Sequence, residues 1–136
     1  MSYVDITNDT TRKKQCYWQM IRTIKKNDND PFLEAQLYLK AVSLYDDNYK
    51  YLASLLNSFA WRMTEIGQLL PEALEKVNYA LEIEYDLKIL DTKAEVLWKL
   101  GRVDEAIGVI NECIQGNPEY QHYQDQKAKF LATKAL

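Results

Sequence analysis

One histidine and two cysteines are the side chains of this sequence best suited to nucleophilic or metal chemistry. His122 is the only histidine, and no Ser or Cys partner accompanies it in a known catalytic motif. Cys16 and Cys113 lie far apart, and neither has another Cys or His at the spacing of a zinc site or a redox pair. We therefore expect a surface histidine, buried thiols, no metal and no cofactor.

Neighbouring carboxylates could act as a general acid and a general base, and the pairs Glu82/Glu84 and Asp104/Glu105 provide them. Acidic side chains in the first turn of a helix usually stabilise the positive end of its dipole, and Asp104 and Glu105 suit that position. The sequence contains no Gly-rich phosphate loop, nucleophile elbow or HExxH pattern. We expect no catalytic residues and predict that the protein is not an enzyme.

A basic segment between Thr11 and Lys26 could bind an acidic partner, nucleic acid or an anionic membrane. It contains no acidic residue and six cations, Arg12, Lys13, Lys14, Arg22, Lys25 and Lys26. On a helix, Lys14, Trp18, Arg22 and Lys25 would form a basic surface with an outward tryptophan. The alternative is a solvated face whose tryptophan packs on a neighbouring helix, and the net charge of −3 for the whole chain favours this alternative.

The elements that would position these side chains are helices. Only four Gly and three Pro interrupt the 136 residues, and apolar residues recur at intervals of three and four. With 47% hydrophobic residues the chain can bury one core, so we predict a single all-α domain over residues 1–136. No segment approaches the roughly 18 apolar residues of a membrane-spanning helix, and residues 1–14 lack a signal-peptide core, so we expect a cytoplasmic protein.

Capping and breaking residues predict about seven helices. Thr10 or Thr11 would cap the first helix, which leaves residues 1–9 as a flexible N-terminus. Asp30 before Pro31 and Asp86 would begin two of the later helices. The later helices are predicted over residues 31–45, 49–66, 71–83, 87–100 and 103–115, and from 117–118 to the C-terminus.

Two segments resemble each other when Gly67 is superposed on Gly101. FAWRMTEIGQLLPEALEKVNYALEI then aligns with KAEVLWKLGRVDEAIGVINECIQ, with one extra residue in the first loop. The equivalent pairs include Ala73 with Ala106, Val77 with Ile110, Ala80 with Cys113 and Leu81 with Ile114. Two helices per unit at a period near 34 residues is typical of a helical solenoid.

This stretch resembles two tetratricopeptide repeats. The repeat at 87–118 places Leu90, Ala94, Leu97, Gly101, Ala106, Ile110, Cys113 and Pro118 near the signature positions of the family. The repeat at 53–86 supplies Leu56, Ala60, Met63, Gly67, Ala73, Val77 and Ala80, with DLK in place of the closing proline. The resemblance implies an α–α superhelix of antiparallel helices, in which small residues lie where the paired helices cross closely.

Two repeats hold together poorly alone, so the flanking segments should complete the core. Residues 119–136 resemble the capping helix that ends such arrays, with Tyr120, Tyr123, Phe130 and Leu131 on its apolar side. Residues 10–48 are interpreted as a degenerate repeat or as an unrelated helical hairpin. Their apolar stripes are Tyr17, Met20, Ile21 and Ile24 in one helix and Leu33, Leu37, Ala41 and Leu44 in the other.

In the tetratricopeptide family a peptide usually lies along the concave face formed by the first helix of each repeat. The resemblance assigns to this face Asn57, Trp61, Thr64, Lys88, Asp91, Glu95 and Trp98. Two tryptophans beside Asp91 and Glu95 would form an aromatic groove with an acidic wall, suited to a peptide with apolar anchors and a Lys or Arg. The alternative is that both rings cover neighbouring helices.

On this resemblance we expect a non-enzymatic adaptor that binds a peptide or protein segment in its concave groove. Family members that bind chaperone carboxylates use Lys, Asn and Arg on these helices, and Asp91 and Glu95 carry the wrong charge for that ligand. The alternatives are docking of the basic first helix on nucleic acid or anionic membrane, or a structural or regulatory segment of a larger protein. The partner's identity, the oligomeric state and occupation of the groove by the N-terminus stay open.

Overall fold

The computed structural model describes residues 3–27 and 30–135 of the chain. This part of the chain forms seven helices and no strand, so the predicted all-α class is confirmed. The helices are α1 (Tyr3–Asn27), α2 (Pro31–Ser43), α3 (Leu52–Ile66), α4 (Leu70–Ile83), α5 (Leu87–Lys99), α6 (Val103–Gly116) and α7 (Gln121–Lys134).

The chain divides into two compact units, Met1–Leu52 and Ala53–Leu136, where its length predicts one domain. In the first unit α1 packs against α2. In the second unit α5 contacts both α4 and α6, and α6 contacts α7. The border between the units falls at Ala53, the residue at which the first repeat is predicted to begin. The repeat region is therefore a unit with its own core.

Side-chain caps begin two helices where the sequence predicts them. The Asp30 carboxylate accepts a hydrogen bond of 3.0 Å from the Leu33 amide, and Pro31 occupies the first turn of α2. The Asp86 carboxylate accepts a 2.7 Å hydrogen bond from the Lys88 amide at the start of α5. Both side chains satisfy a backbone N–H that the helix itself leaves unpaired.

The first helix begins earlier than predicted. α1 starts at Tyr3, so the stretch predicted to be flexible, 1–9, is helical from residue 3, and residues 1 and 2 lie outside the described residues. No Gly or Pro occurs between residues 3 and 27, so nothing in the local sequence ends the helix before Thr10.

Two other helices begin later than predicted because turns occupy their expected first residues. Asp46 accepts from the Asn48 amide through its carboxylate at 2.9 Å and from the Tyr49 amide through its carbonyl at 3.0 Å, and α3 starts only at Leu52. Asn117 caps the end of α6, and its carbonyl accepts from the Tyr120 amide at 3.2 Å, which moves the start of α7 to Gln121.

Residues that the internal repeat makes equivalent are buried alike. The side chains of Ala60 and Ala94, of Ala73 and Ala106, of Val77 and Ile110, and of Ala80 and Cys113 are all inaccessible to solvent. Met63 and Leu97 form a fifth pair with almost no exposure. Helices cross closely where small side chains face each other, so the same positions are suited to close packing in both halves of the unit.

The turns that follow α3 and α5 are also closed in the same way. Gly67 and Gly101 have positive φ angles of 66° and 82°, the left-handed conformation that favours glycine. The next residue donates its amide to a carbonyl five residues earlier in both turns. These bonds run from Gln68 to Met63 at 3.1 Å and from Arg102 to Leu97 at 2.9 Å.

The C-terminal helix completes the core of the second unit. Tyr123 and Phe130 of α7 are buried in a cluster with Leu90, Ala94, Leu97, Ala106, Ile110 and Cys113 of α5 and α6. The other two residues predicted on its apolar side, Tyr120 and Leu131, are exposed. Tyr120 precedes the helix, and Leu131 is turned about 100° from Phe130 around the helix axis, so neither projects into the core.

The apolar stripes of α1 and α2 are only partly buried. Ile21 and Ala41 are buried, whereas the exposed fractions of Met20 and Leu33 are 41% and 42%. Two antiparallel helices can cover only the side of each stripe that faces the partner helix. The outer edge of both stripes therefore stays at the surface.

We expect the glycine turns to contribute to stability through their conformation alone. Gly101→Ala would hold an alanine at positive φ and should lower the free energy of unfolding by about 1–2 kcal/mol. Gly67→Ala should lower the free energy of unfolding by a similar amount. Gly108→Ala is the matched control, because Gly108 lies inside α6 with open space around it, and this substitution should raise stability by up to about 1 kcal/mol. Urea unfolding measures all three, and equal effects at Gly101 and Gly108 would contradict the assigned turn.

Candidate functional site

Helix α7 lies over the acidic residues that the resemblance assigns to a groove. Asp91 and Glu95 on α5 are only 7% and 6% exposed. The Nε2 atom of His122 lies 2.9 Å from Oδ2 of Asp91. The side-chain amide of Gln126 donates to Oδ1 of Asp91 at 3.1 Å and to Oε2 of Glu95 at 2.8 Å, so one NH₂ group joins the two carboxylates.

The same contact continues along both helices toward the end of α5. The Lys129 ammonium donates to the two oxygens of Glu95 at 2.9 and 2.8 Å, and it lies 4.4 Å from the centre of the Trp98 ring. Trp98 donates its indole N–H to Oγ1 of Thr133 at 2.9 Å, and its ring centre is 5.8 Å from that of Phe130. We call these α5 and α7 side chains the α5–α7 ladder; its members are Asp91, Glu95, Trp98, His122, Gln126, Lys129, Phe130 and Thr133.

The ladder shows that the predicted acidic wall of an open groove is wrong. A buried carboxylate needs hydrogen bonds or an opposite charge. Helix α7 supplies hydrogen bonds to both Asp91 and Glu95, and the Lys129 ammonium to Glu95. Trp98 follows the alternative interpretation, in which the ring covers a neighbouring helix. The sequence does hold a signal for this arrangement, because His122, Gln126 and Lys129 recur at spacings of four and three, as do Asp91, Glu95 and Trp98 on α5.

The remaining groove residues have different surroundings. Thr64 is buried, and its hydroxyl donates to the Trp61 carbonyl at 2.5 Å, so it cannot line a groove. Lys88 is exposed at the start of α5. Asn57 and Trp61 are both half-buried and lie one turn apart on α3. Of the seven predicted residues, these two are half-buried and are not covered by α7, and Lys88 is exposed.

Asn57 carries an unsatisfied polar atom. Its side-chain oxygen Oδ1 is buried, and no hydrogen-bond partner for it exists among the described residues. The large majority of buried side-chain polar atoms in proteins are paired, and leaving one unpaired costs about 1–3 kcal/mol. Together with the neighbouring Trp61 ring, this acceptor forms a candidate binding site, which we call the α3 site.

The predicted basic surface is altered by packing inside the α1–α2 hairpin. Trp18 is half-buried; its indole N–H donates to the Tyr45 hydroxyl at 2.9 Å and its ring meets Tyr38 edge-on at 5.3 Å. The Lys14 ammonium lies 4.3 Å from the centre of the Tyr45 ring. The prediction of an outward tryptophan is therefore wrong, because α2 and the residues that follow it supply aromatic partners that the sequence of α1 alone cannot show. Of the four predicted residues, Arg22 and Lys25 are exposed.

The two thiols have opposite environments. Cys16 is exposed, so the prediction of two buried thiols is wrong for this residue, which lies on the outer face of α1. Cys113 is buried in the core of the second unit, and burial, followed by the negative charges of Asp91 and Glu112, raises the pKa of its thiol to about 12. Among the described residues no three His, Cys, Asp or Glu side chains could hold a metal ion together.

The chain matches no protein-family model and no curated protein. The resemblance to tetratricopeptide repeats therefore rests on the residues and their spacing in the sequence. In the described part of the chain, none of the helices has the length and apolarity to cross a lipid bilayer.

Removing the amide that joins the two carboxylates should destabilise the second unit. Gln126→Ala leaves Asp91 and Glu95 short of one hydrogen bond each, and we expect a loss of about 1–3 kcal/mol in the free energy of unfolding. Gln124→Ala removes an exposed side chain of the same type from the same helix and should change stability by less than about 0.5 kcal/mol. Indistinguishable urea transitions for the two variants would contradict the ladder.

The two thiols should also differ in reactivity. At about pH 8, Ellman's reagent should modify Cys16 rapidly in the folded protein, because this thiol is exposed. Cys113 should react only after denaturation, because it is buried and its pKa is about 12. Cys16→Ser should abolish the reaction of the folded protein, and a second fast thiol in that variant would show that Cys113 is accessible.

Proposed function

We propose that this protein is a tetratricopeptide-like interaction module without catalytic activity that binds a peptide segment at the α3 site. The observation that carries the proposal is the buried, unpaired Oδ1 of Asn57 beside the half-buried Trp61. This acceptor lacks a partner among the described residues, and it gains a hydrogen bond when the half-buried Asn57 side chain turns toward a donor of the ligand.

The arrangement of the second unit supports a repeat architecture. Five pairs of residues at equivalent positions are buried alike, and both glycine turns close with the same hydrogen bond. In the family, the first helix of each repeat supplies side chains that face the ligand. Under this proposal α3 is the first helix of the first repeat, so its half-exposed residues are the ones that a peptide would meet.

Helix α7 supports the proposal as the element that ends the array. Its buried residues Tyr123 and Phe130 follow Ile89 and Val96 of α5 by one repeat length, and all four side chains are buried. Under this proposal α7 takes the position of the first helix of a third repeat. A terminal helix of this kind covers the last repeat, which explains why α5 offers no open groove.

The chemistry of the α3 site narrows the class of ligand. Asn57 Oδ1 can accept one N–H from a peptide backbone, and the Trp61 ring can cover an apolar side chain. Asp91 and Glu95 are already paired with His122, Gln126 and Lys129, so they supply no free negative charge for a Lys or Arg of the ligand. We therefore propose an apolar anchor with backbone recognition and drop the expected preference for a basic peptide.

Asn57→Leu should separate binding from stability. The substitution removes the unpaired acceptor from a half-buried position and should raise the free energy of unfolding by about 1 kcal/mol while it abolishes peptide binding. Trp61→Ala should abolish binding as well, whereas Ser58→Ala, at an exposed position of the same helix, should leave both properties unchanged.

The ligand can be obtained by selecting a displayed library of random peptides against the wild-type chain. Selected peptides should lose affinity for the Asn57→Leu and Trp61→Ala variants and keep it for Ser58→Ala. Titrating them into a variant with Trp18→Phe and Trp98→Phe leaves Trp61 as the single indole, whose fluorescence should shift on binding. Peptides that bind all variants equally, or that leave this fluorescence unchanged, would overturn the α3 site.

A further inference from the structure

An apolar groove runs between the two helices of the first unit. It has a volume of about 290 Å³ and is lined by Gln19, Met20, Thr23, Ile24, Leu33 and Leu37; we call it the α1–α2 groove. Met20 and Leu33 are 41% and 42% exposed, and Phe32 beside them is 64% exposed. An apolar surface of this kind at one place marks a site of interaction, because leaving it in water is unfavourable.

Cations flank this groove on both helices. Arg12 and Lys26 share a helical face with Gln19 and Thr23, at spacings of seven, four and three along α1. Lys40 follows Leu33 by seven residues and Leu37 by three, so it extends the α2 side of the groove. All three cations are exposed.

Among the described residues around the groove, exposed acidic groups are fewer than exposed cations. Glu34, the acidic residue inside α2, is buried, so the exposed carboxylate on the α2 side is that of Asp30, which caps the helix through the Leu33 amide. Between residues 9 and 27 of α1 the only acidic side chain is Asp9, against six Lys and Arg. The surface around the apolar floor is therefore basic.

We propose that the α1–α2 groove binds an acidic amphipathic helix of a partner protein. A groove between two antiparallel helices accepts a third helix through apolar side chains at i, i+4 and i+7, while acidic residues beside them would face Arg12, Lys26 and Lys40. A second copy of this chain would oppose these cations with its own. A bilayer suits apolar side chains that project outward, whereas this floor lies between two helices. The groove belongs to Met1–Leu52, and its occupant is independent of the α3 site.

Fluorescence anisotropy with the full chain tests this proposal at about 0.15 M salt. The probe is a labelled helical peptide of about 16 residues, or ~24 Å, with Leu at i, i+4, i+7 and i+11 and Glu at the flanking positions. A second peptide carries Lys in place of every Glu, and a third has the acidic sequence scrambled. We expect the acidic peptide to bind at least about tenfold more tightly than either control, a difference that apolar contact alone would not produce.

Variants of the chain locate the binding. Leu33→Glu should lower the affinity for the acidic peptide at least about tenfold. Met20→Glu, on the opposite wall, should lower the affinity by a similar factor, and it serves as the second test if Leu33→Glu disturbs the start of α2. Lys40→Glu should weaken it by about three- to fivefold. Lys25→Glu is the matched control, because it makes the same change of charge on another face of α1, and it should alter affinity by less than about twofold.

Three results would overturn the proposal. The first is equal affinity for the acidic and basic peptides, or acidic binding that both floor variants retain. The second is binding to phosphatidylserine vesicles that Leu33→Glu abolishes while the acidic peptide stays unbound, which would assign the groove to a lipid surface. The third is a dimer in sedimentation equilibrium that Leu33→Glu dissociates, which would assign it to a second copy.

Discussion

The need to pair two buried carboxylates determines much of the second unit. Asp91 and Glu95 lie on the helix with the most buried residues of the described chain, where an unpaired negative charge would be strongly destabilising. Helix α7 satisfies both through Gln126 and adds the Lys129 ammonium to Glu95. Tyr123 and Phe130 supply the apolar half of the same contact, so the helix docks through charge pairing and burial together.

This docking changes which surfaces can meet a partner. The face of α5 that would form a groove is the face on which α7 packs, so its acidic and aromatic groups serve the fold. In the described part of the chain, two surfaces that leave polar or apolar groups unsatisfied are candidates for binding. One is the α3 site with its unpaired amide oxygen, and the other is the apolar α1–α2 groove with its basic flanks. The two sites suit different ligands, because the α3 site needs a hydrogen-bond donor and the α1–α2 groove needs a ligand surface that is apolar and acidic.

Local features of the fold were predictable from the sequence. Asp30, Asp86, Gly67 and Gly101 act through their own backbone or through residues within five positions, so their effects on helix ends can be read directly. The 33- to 34-residue register also predicted which small residues are buried, because helices that cross closely need small side chains at fixed positions. The misplaced start of α3 reflects a local turn around Asp46 that competes with the helix.

The candidate sites depended on contacts between residues distant in the chain. Helical spacing correctly put Asp91, Glu95 and Trp98 on one face, but periodicity alone does not say whether water, a ligand or another helix covers that face. Trp18 was misassigned for the same reason, since its partner Tyr45 lies on the far side of a turn. The sequence by itself determined the all-α class, the caps at Asp30 and Asp86 and the glycine turns, because these arise from local backbone preferences. Only the tertiary structure decided which polar and apolar groups stay unsatisfied, because burial is a property of the assembled helices.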